Sequence, residues 1–239
     1  MKKFFGKMGM ALLATAAALT FTACDLGGGL KDSRDGKTYK TVQIGDKVWM
    51  AENLNYDYNH GSAKSVCYEN KPENCEKYGR LYTWAAAMDS AAIFSKDGAR
   101  CGYRKECDAI GTVRGVCPEG WHLPSKEDLE ELKKLAGQKA GDIDKAGTVL
   151  KSTTGWKDDD SKSGNGSDSL GFGALPAGFY LSYNDYFINE GYNARFWSST
   201  EYGSYDAYGL DLDYDSEFAY VLGHNKSRGF SVRCVKNSN

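Results

Sequence analysis

The chain has 239 residues, 26% of them charged, with 30 Lys and Arg against 32 Asp and Glu and a formal charge of −2 at pH 7. That balance offers no basic stripe for a phosphate backbone and argues against nucleic acid as a partner. The length suits one domain with a substantial core, and no second apolar span follows the one at the amino end.

Lys2, Lys3 and Lys7 precede an apolar run from Met8 to Ala23. At roughly sixteen residues it is short for a bilayer crossing and typical of an export leader. The run ends in Phe21-Thr22-Ala23-Cys24, small residues ahead of a cysteine as in a bacterial lipobox. Residues 1–23 are therefore expected to be a signal peptide, with 24–36 the lipidated cysteine and its tether. Phe21 stands where leucine is usual, so plain secretion with cleavage near Ala23 is the alternative. The lipid reading has a physical logic, because one acyl chain holds a protein only marginally and two or more hold it firmly. It implies palmitate on Cys24, membrane lipid as a partner, and the bacterial cell envelope as the location, outer membrane or cell surface favoured. Asp25 resembles an inner-membrane retention signal of enteric bacteria, which leaves the leaflet open. Removing the leader takes away three lysines and moves the formal charge from −2 to about −5.

Setting Cys24 aside leaves Cys67, Cys75, Cys101, Cys107, Cys117 and Cys234, an even number in an exported chain. Of the possible pairings, Cys67–Cys75 and Cys101–Cys107 each close a short polar excursion. Cys117–Cys234 would tie the middle of the chain to its last strand. No paired CxxC knuckle is present, so oxidation is favoured over zinc.

The domain is expected to span 37–236. Tyr39, Val42, Ile44, Val48 and Trp49 alternate around Gly45-Asp46 and predict a hairpin. A polar loop containing His60 runs to about Lys77. Leu81, Trp84, Ala85 and Met88 share one face, which predicts the first helix over 81–88. Residues 91–116 read as an inserted loop. In CPEGWHLPSKEDLEELKKL (Cys117–Leu135), Pro118 and Gly120 make a turn, and Trp121 and Leu123 are placed to enter the core. Ser125 and Asp128 fit a capping box, and Leu129, Leu132 and Leu135 give the second helix its apolar stripe. Val149, Leu150 and Trp156 are expected as buried anchors.

Residues 157–168 are polar, and Asp158, Asp160 and Asp168 invite a calcium reading beside the plainer one of a solvated loop. The spacing and terminal glutamate of an EF-hand are absent. The last seventy or so residues look all-β. Asp206 to Asp215 alternates, with Leu210, Leu212 and Tyr214 on one side and Asp211, Asp213 and Asp215 on the other. Phe230 to Val235 is expected to close the sheet. Helices followed by short strands indicate an α+β fold.

Six stretches carry a family resemblance: QIGDKVWMAENLNY (Gln43–Tyr56), YGRLYTWAAAM (Tyr78–Met88), CPEGWHLPSKEDLEEL (Cys117–Leu132), GFGALPAGF (Gly171–Phe179), FWSSTE (Phe196–Glu201) and GFSVRCV (Gly229–Val235). In that order they resemble the Fibrobacter succinogenes major paralogous domain family. The resemblance implies an exported protein, frequently a lipoprotein, related to the C-type lectin-like and formylglycine-generating-enzyme superfamily. WHLPSKEDLEEL resembles that enzyme's helix opening and GFSVRCV its ending. The fold so implied is a disulfide-stabilised C-type lectin-like domain, two helices packed on twisted antiparallel sheets with long loops. A Cys117–Cys234 link fits the long disulfide of lectin-like domains. Neither the Glu-Pro-Asn nor the Trp-Asn-Asp triplet of calcium-dependent lectins occurs. The enzyme's reactive cysteines are better matched here by structural pairs.

The function this suggests is an envelope-anchored, non-catalytic binding module for carbohydrate or a cell-surface polymer. Tyr183, Tyr186, Tyr205 and Trp197 are the candidate stacking rings, because flat aromatics bind sugar faces at little entropic cost. Asp185, Asp206 and Asp211 are the candidate acceptors for sugar hydroxyls. Two alternatives stand beside it. One is a structural or protein-interaction component of the envelope, with other envelope proteins as partners. The other is an enzyme with an acidic active site, which lacks a recognisable histidine cluster or nucleophile elbow.

Overall fold

The computed structural model describes residues 29–107, 109, 111–160 and 162–238. The leader, Cys24 and the first tether residues lie outside the described residues. β1 (Leu30–Lys31) and β2 (Thr38–Tyr39) form a small ribbon. β3 (Thr41–Ile44) and β4 (Lys47–Met50) make the expected hairpin, with Gly45 at φ 64° in its turn. β5 (Asn59–His60) and β6 (Ala63–Val66) follow, then α1 (Pro72–Tyr78), β7 (Leu81–Thr83), α2 (Trp84–Ala87) and β8 (Trp121–His122). α3 (Lys126–Ala140) and α4 (Ala146–Leu150) precede the β-rich end. That end comprises β9 (Ala177–Leu181), β10 (Tyr186–Glu190), β11 (Asn193–Glu201), β12 (Asp206–Asp213), β13 (Tyr220–Asn225), β14 (Arg228–Phe230) and β15 (Val235–Lys236).

Four α-helices among the described residues correct the expectation of two. α1 is short and charged, and buries only Cys75 and Tyr78, so it carries no apolar stripe to read. Pro72 opens it, where a missing N–H costs nothing, and Gly79 at φ 72° ends it. The helix placed at 81–88 is split. Leu81 to Thr83 pairs with β6 and β14, and the chain turns helical only once the Thr83 side chain accepts the Ala86 N–H. α4 holds the expected anchors Val149 and Leu150 in five residues, too few for a periodic signal.

Among the described residues the strands form four sheets, and every ladder between named strands is antiparallel. Their orders are β1-β2, β10-β9-β14-β7-β6-β5, β11-β12-β13 and β3-β4-β15-β8. The α+β class with antiparallel sheets and three disulfides therefore stands, while the C-type lectin-like architecture does not, because no lectin-type sheet closes among the described residues. The cause lies in the final segment. Phe230 to Val235, expected to close one sheet, instead runs from β14 inside the six-stranded sheet to β15 inside the four-stranded one.

β11-β12-β13 lies between two apolar cores. Trp197 points into one with Trp84, Phe179 and Phe230, and its neighbour Phe196 into the other with Trp49, Phe172, Leu132 and Leu210. Disulfides join Cys67 to Cys75, Cys101 to Cys107 and Cys117 to Cys234. Buried Arg233 links distant segments, its Nε donating to Asn53 Oδ1 at 2.8 Å and its Nη2 to the Gly173 carbonyl at 2.9 Å. Its guanidinium lies 4.4 Å from the Phe172 ring centre, and burial pulls its pKa down to about 9.

Candidate binding cleft

The turn between β8 and α3 builds one wall of a cleft of about 870 Å³. Ser125 caps α3 in a reciprocal box: its Oγ accepts the Asp128 N–H at 3.1 Å, and Asp128 Oδ2 accepts the Ser125 N–H at 2.8 Å. The end of β11 is bonded to this turn. The Ser199 N–H donates to the Pro124 carbonyl at 2.8 Å, and the Lys126 N–H to Thr200 Oγ1 at 2.9 Å. Ser199, Thr200 and Glu201 line the cleft beside His122, Ser125 and Asp128. Thr112 and Val113 complete it, and Val113 is tied in by the Leu123 N–H at 3.0 Å.

Most charges in the cleft are already matched. Lys47 Nζ lies 3.2 Å from Asp128 Oδ1 and also pairs with Glu131. His122 sits between Asn237 Oδ1, 2.7 Å from its Nδ1, and Asp128 Oδ2, 3.7 Å from its Nε2. Burial pushes the Asp128 pKa up, but His122, Ser125 and Lys47 outweigh it and hold the carboxyl well below its ordinary value. Asp128 is thus a fixed anion and acceptor near neutral pH, not a proton donor. Glu201 accepts the Cys107 N–H at 2.9 Å and pairs with Lys226, whose ammonium also donates to the Lys105 carbonyl at 2.9 Å. Glu127 lacks an ion-pair partner among the described residues, and it stands in the first turn of α3, where the helix dipole favours a carboxylate. The cleft therefore presents hydroxyls, an imidazole, the paired acids Asp128 and Glu201 and one solvent-facing carboxylate, Glu127, a surface suited to donating and accepting hydrogen bonds.

The residues proposed for binding do not line this cleft. Tyr183 and Tyr186 are exposed, at 76% and 55%, on the β9–β10 hairpin. Asp185 sits in that turn at φ 53° and accepts the Tyr180 hydroxyl at 2.8 Å. Burial, then Asp185 itself, pushes Tyr180 up to about 12. Tyr205 is exposed between β11 and β12, edge-on to Tyr103 at 5.5 Å between ring centres, and half-buried Asp206 follows it. These two groups belong to different sheets, and no ring contact joins them among the described residues. Trp197 is corrected outright: it is fully buried, stacked on Phe230 at 4.2 Å, with its indole N–H donated to the Tyr82 carbonyl.

Asp211 is corrected too. It is 4% exposed, 3.3 Å from Arg195 Nε and 2.8 Å from His224 Nε2, neither contact meeting hydrogen-bond geometry. Strict alternation implied a solvated face, but the sheet is covered on both sides, so that aspartate lies inside beside Arg195 and His224. Asp158, Asp160 and Asp168 do not come together as a metal site, and no group of three His, Cys, Asp or Glu that could hold one occurs among the described residues. Asp168 instead accepts the Gly173 N–H at 2.6 Å. Sequence reading found the capping box and the Ser-Ser-Thr-Glu run separately but had no signal for their meeting. Asn225-Lys226 reads in sequence as a turn between strands, and nothing there marks Lys226 as a buried cation.

The family model described as the Fibrobacter succinogenes major domain matches residues 42–236. No curated protein and no solved structure matches the chain.

Proposed function

The chain belongs to the Fibrobacter succinogenes major domain family, and from that premise we propose that it is an envelope-anchored, non-catalytic binding module whose ligand is a neutral, hydroxyl-rich polymer such as a cell-surface carbohydrate. The observation that carries this is the pairing of charge in the cleft. Lys47 is matched by Asp128 and Glu131, and Glu201 by Lys226, while Ser125, Ser199, Thr200 and Thr112 supply hydroxyls. A ligand of many hydroxyls can exchange hydrogen bonds with such a lining without burying an unmatched charge. The volume falls in the usual range for small-ligand sites, about 300–1,000 Å³. Lipid on Cys24 would hold the module at the membrane, in the outer membrane or at the cell surface.

A screen of the full chain against immobilised neutral polysaccharides tests the reading, beside Thr112→Trp and a Tyr183/Tyr186/Tyr205 triple alanine variant. Thr112 is exposed at the cleft wall, so the indole should fill the cleft without disturbing the core. Binding is expected to survive the triple variant and to fall at least tenfold in Thr112→Trp. Retention by a folded Thr112→Trp protein would remove the cleft from consideration. Fatty-acid labelling that persists in Cys24→Ala would remove the anchor.

A second reading, contact with another envelope protein, draws on edge strand β13. There Leu222 is 47% exposed, and Tyr220 stacks on Phe218 at 5.5 Å beside it, a surface onto which a partner strand could add. No saturable glycan binding, together with loss of a co-purifying protein in Leu222→Lys, would favour it.

A further inference from the structure

Lys226 also lines a second pocket, of about 380 Å³, whose chemistry differs from that of the cleft. Arg100, Lys105 and Lys226 line it with the hydroxyl side chains of Ser62, Ser90 and Ser182, and no carboxylate does. Arg100 and Lys105 make no ion pair among the described residues. Lys226 is buried, with its ammonium 4.5 Å from the centre of the Trp84 ring, and Glu201 offsets its charge from the cleft side. Two cations without ion-pair partners and several hydroxyl-bearing side chains thus line one pocket in a protein whose net charge is negative.

The backbone that carries Arg100 and Lys105 is also tied down. The Cys101–Cys107 disulfide closes the loop that carries Lys105. The Arg100 N–H donates to the Ser90 carbonyl at 2.9 Å, and the Lys105 N–H to the Gly102 carbonyl at 3.3 Å. A loop ordered before binding loses less entropy on binding. A guanidinium fork suits two oxygens of one anion, and an ammonium with serine hydroxyls can satisfy the rest.

We propose that this pocket binds a small oxyanion, a sulfate, phosphate or carboxylate group, either free or carried on a sugar. The site is separate from the neutral-ligand cleft and stands whether or not that cleft binds carbohydrate.

Calorimetric titration of the full chain with inorganic sulfate, against sodium chloride at matched ionic strength, provides the test, with parallel titrations of glucuronate and glucose. Saturable binding of sulfate or glucuronate is expected, weakened at least tenfold in Arg100→Gln/Lys105→Gln and unchanged in Lys96→Gln, an exposed lysine outside the pocket. Both substituted side chains are exposed, and matching thermal unfolding of the variants shows that the fold persists. Sulfate binding identifies a free anion as sufficient, and binding of glucuronate alone identifies the charged sugar as the ligand. No saturation by either, glucose binding as tightly as glucuronate, or an unaffected double variant would overturn the proposal.

Discussion

Asp128 serves the fold and the cleft with one carboxylate. It completes the α3 capping box and faces both His122 and Lys47. Because its folded pKa lies below the ordinary 3.8, it contributes stability that is present above that value and lost as pH falls through the folded pKa. Asp128→Asn is therefore expected to cost about 1–2 kcal/mol at neutral pH, with the gap to the parent protein closing in acid, as urea unfolding at both pH values would show. Trp197 belongs to a different category, since it touches only core. Trp197→Ala should cost about 3–5 kcal/mol in the same measurement and reduce any ligand binding only in proportion to the unfolded fraction. Residue type was legible here and burial was not. A tryptophan and an alternating aspartate read the same whether a sheet is covered on one face or on two, and β11-β12-β13 is covered on two.

Elements were legible where local chemistry determined them. The β3–β4 hairpin, the α3 capping box and its Leu129/Leu132 stripe depend on residues within a few positions of one another. α1 is bounded by local residues, Pro72, Gly79 and the short Cys67–Cys75 bond, but is too short and charged to show a stripe, whereas the β7–α2 switch depends on pairing with β14, nearly 150 residues away. The cysteine pairs occupy a middle ground. Their spacing suggested which bonds form, while the sheets they connect did not follow from it. Cys117–Cys234 joins residues 117 apart, and Cys67–Cys75 only 8 apart. By loop-closure entropy, a Cys117→Ala/Cys234→Ala chain should lose about 4–5 kcal/mol and a Cys67→Ala/Cys75→Ala chain about 2–3 kcal/mol. Denaturant midpoints of the two variants would check the order, and equal losses would show that native packing, not chain closure, sets the contribution.

At the scale of the molecule, the fold sorts charges that composition only counts. The cleft and the second pocket meet at one ion pair, Lys226 lining the pocket and Glu201 the cleft. Lys226 is buried and Glu201 only partly exposed, so each shields the other from an unpaired state that neither tolerates well. Lys226→Met should leave the Glu201 carboxylate facing the cleft with only the Cys107 N–H as partner, and should cost about 3 kcal/mol or more. Adding Glu201→Gln removes the orphaned charge while keeping an acceptor for that N–H, so the double variant should recover a substantial part of the loss. Thermal and urea unfolding of the two single variants and the double one give the coupling directly. Simple addition of the two single losses would mean the ammonium and carboxylate are each solvated independently, and the partition between a neutral and a cationic pocket would then lack its physical basis. Recovery in the double variant would instead locate that partition in one contact, between the end of β11 and the turn that follows β13.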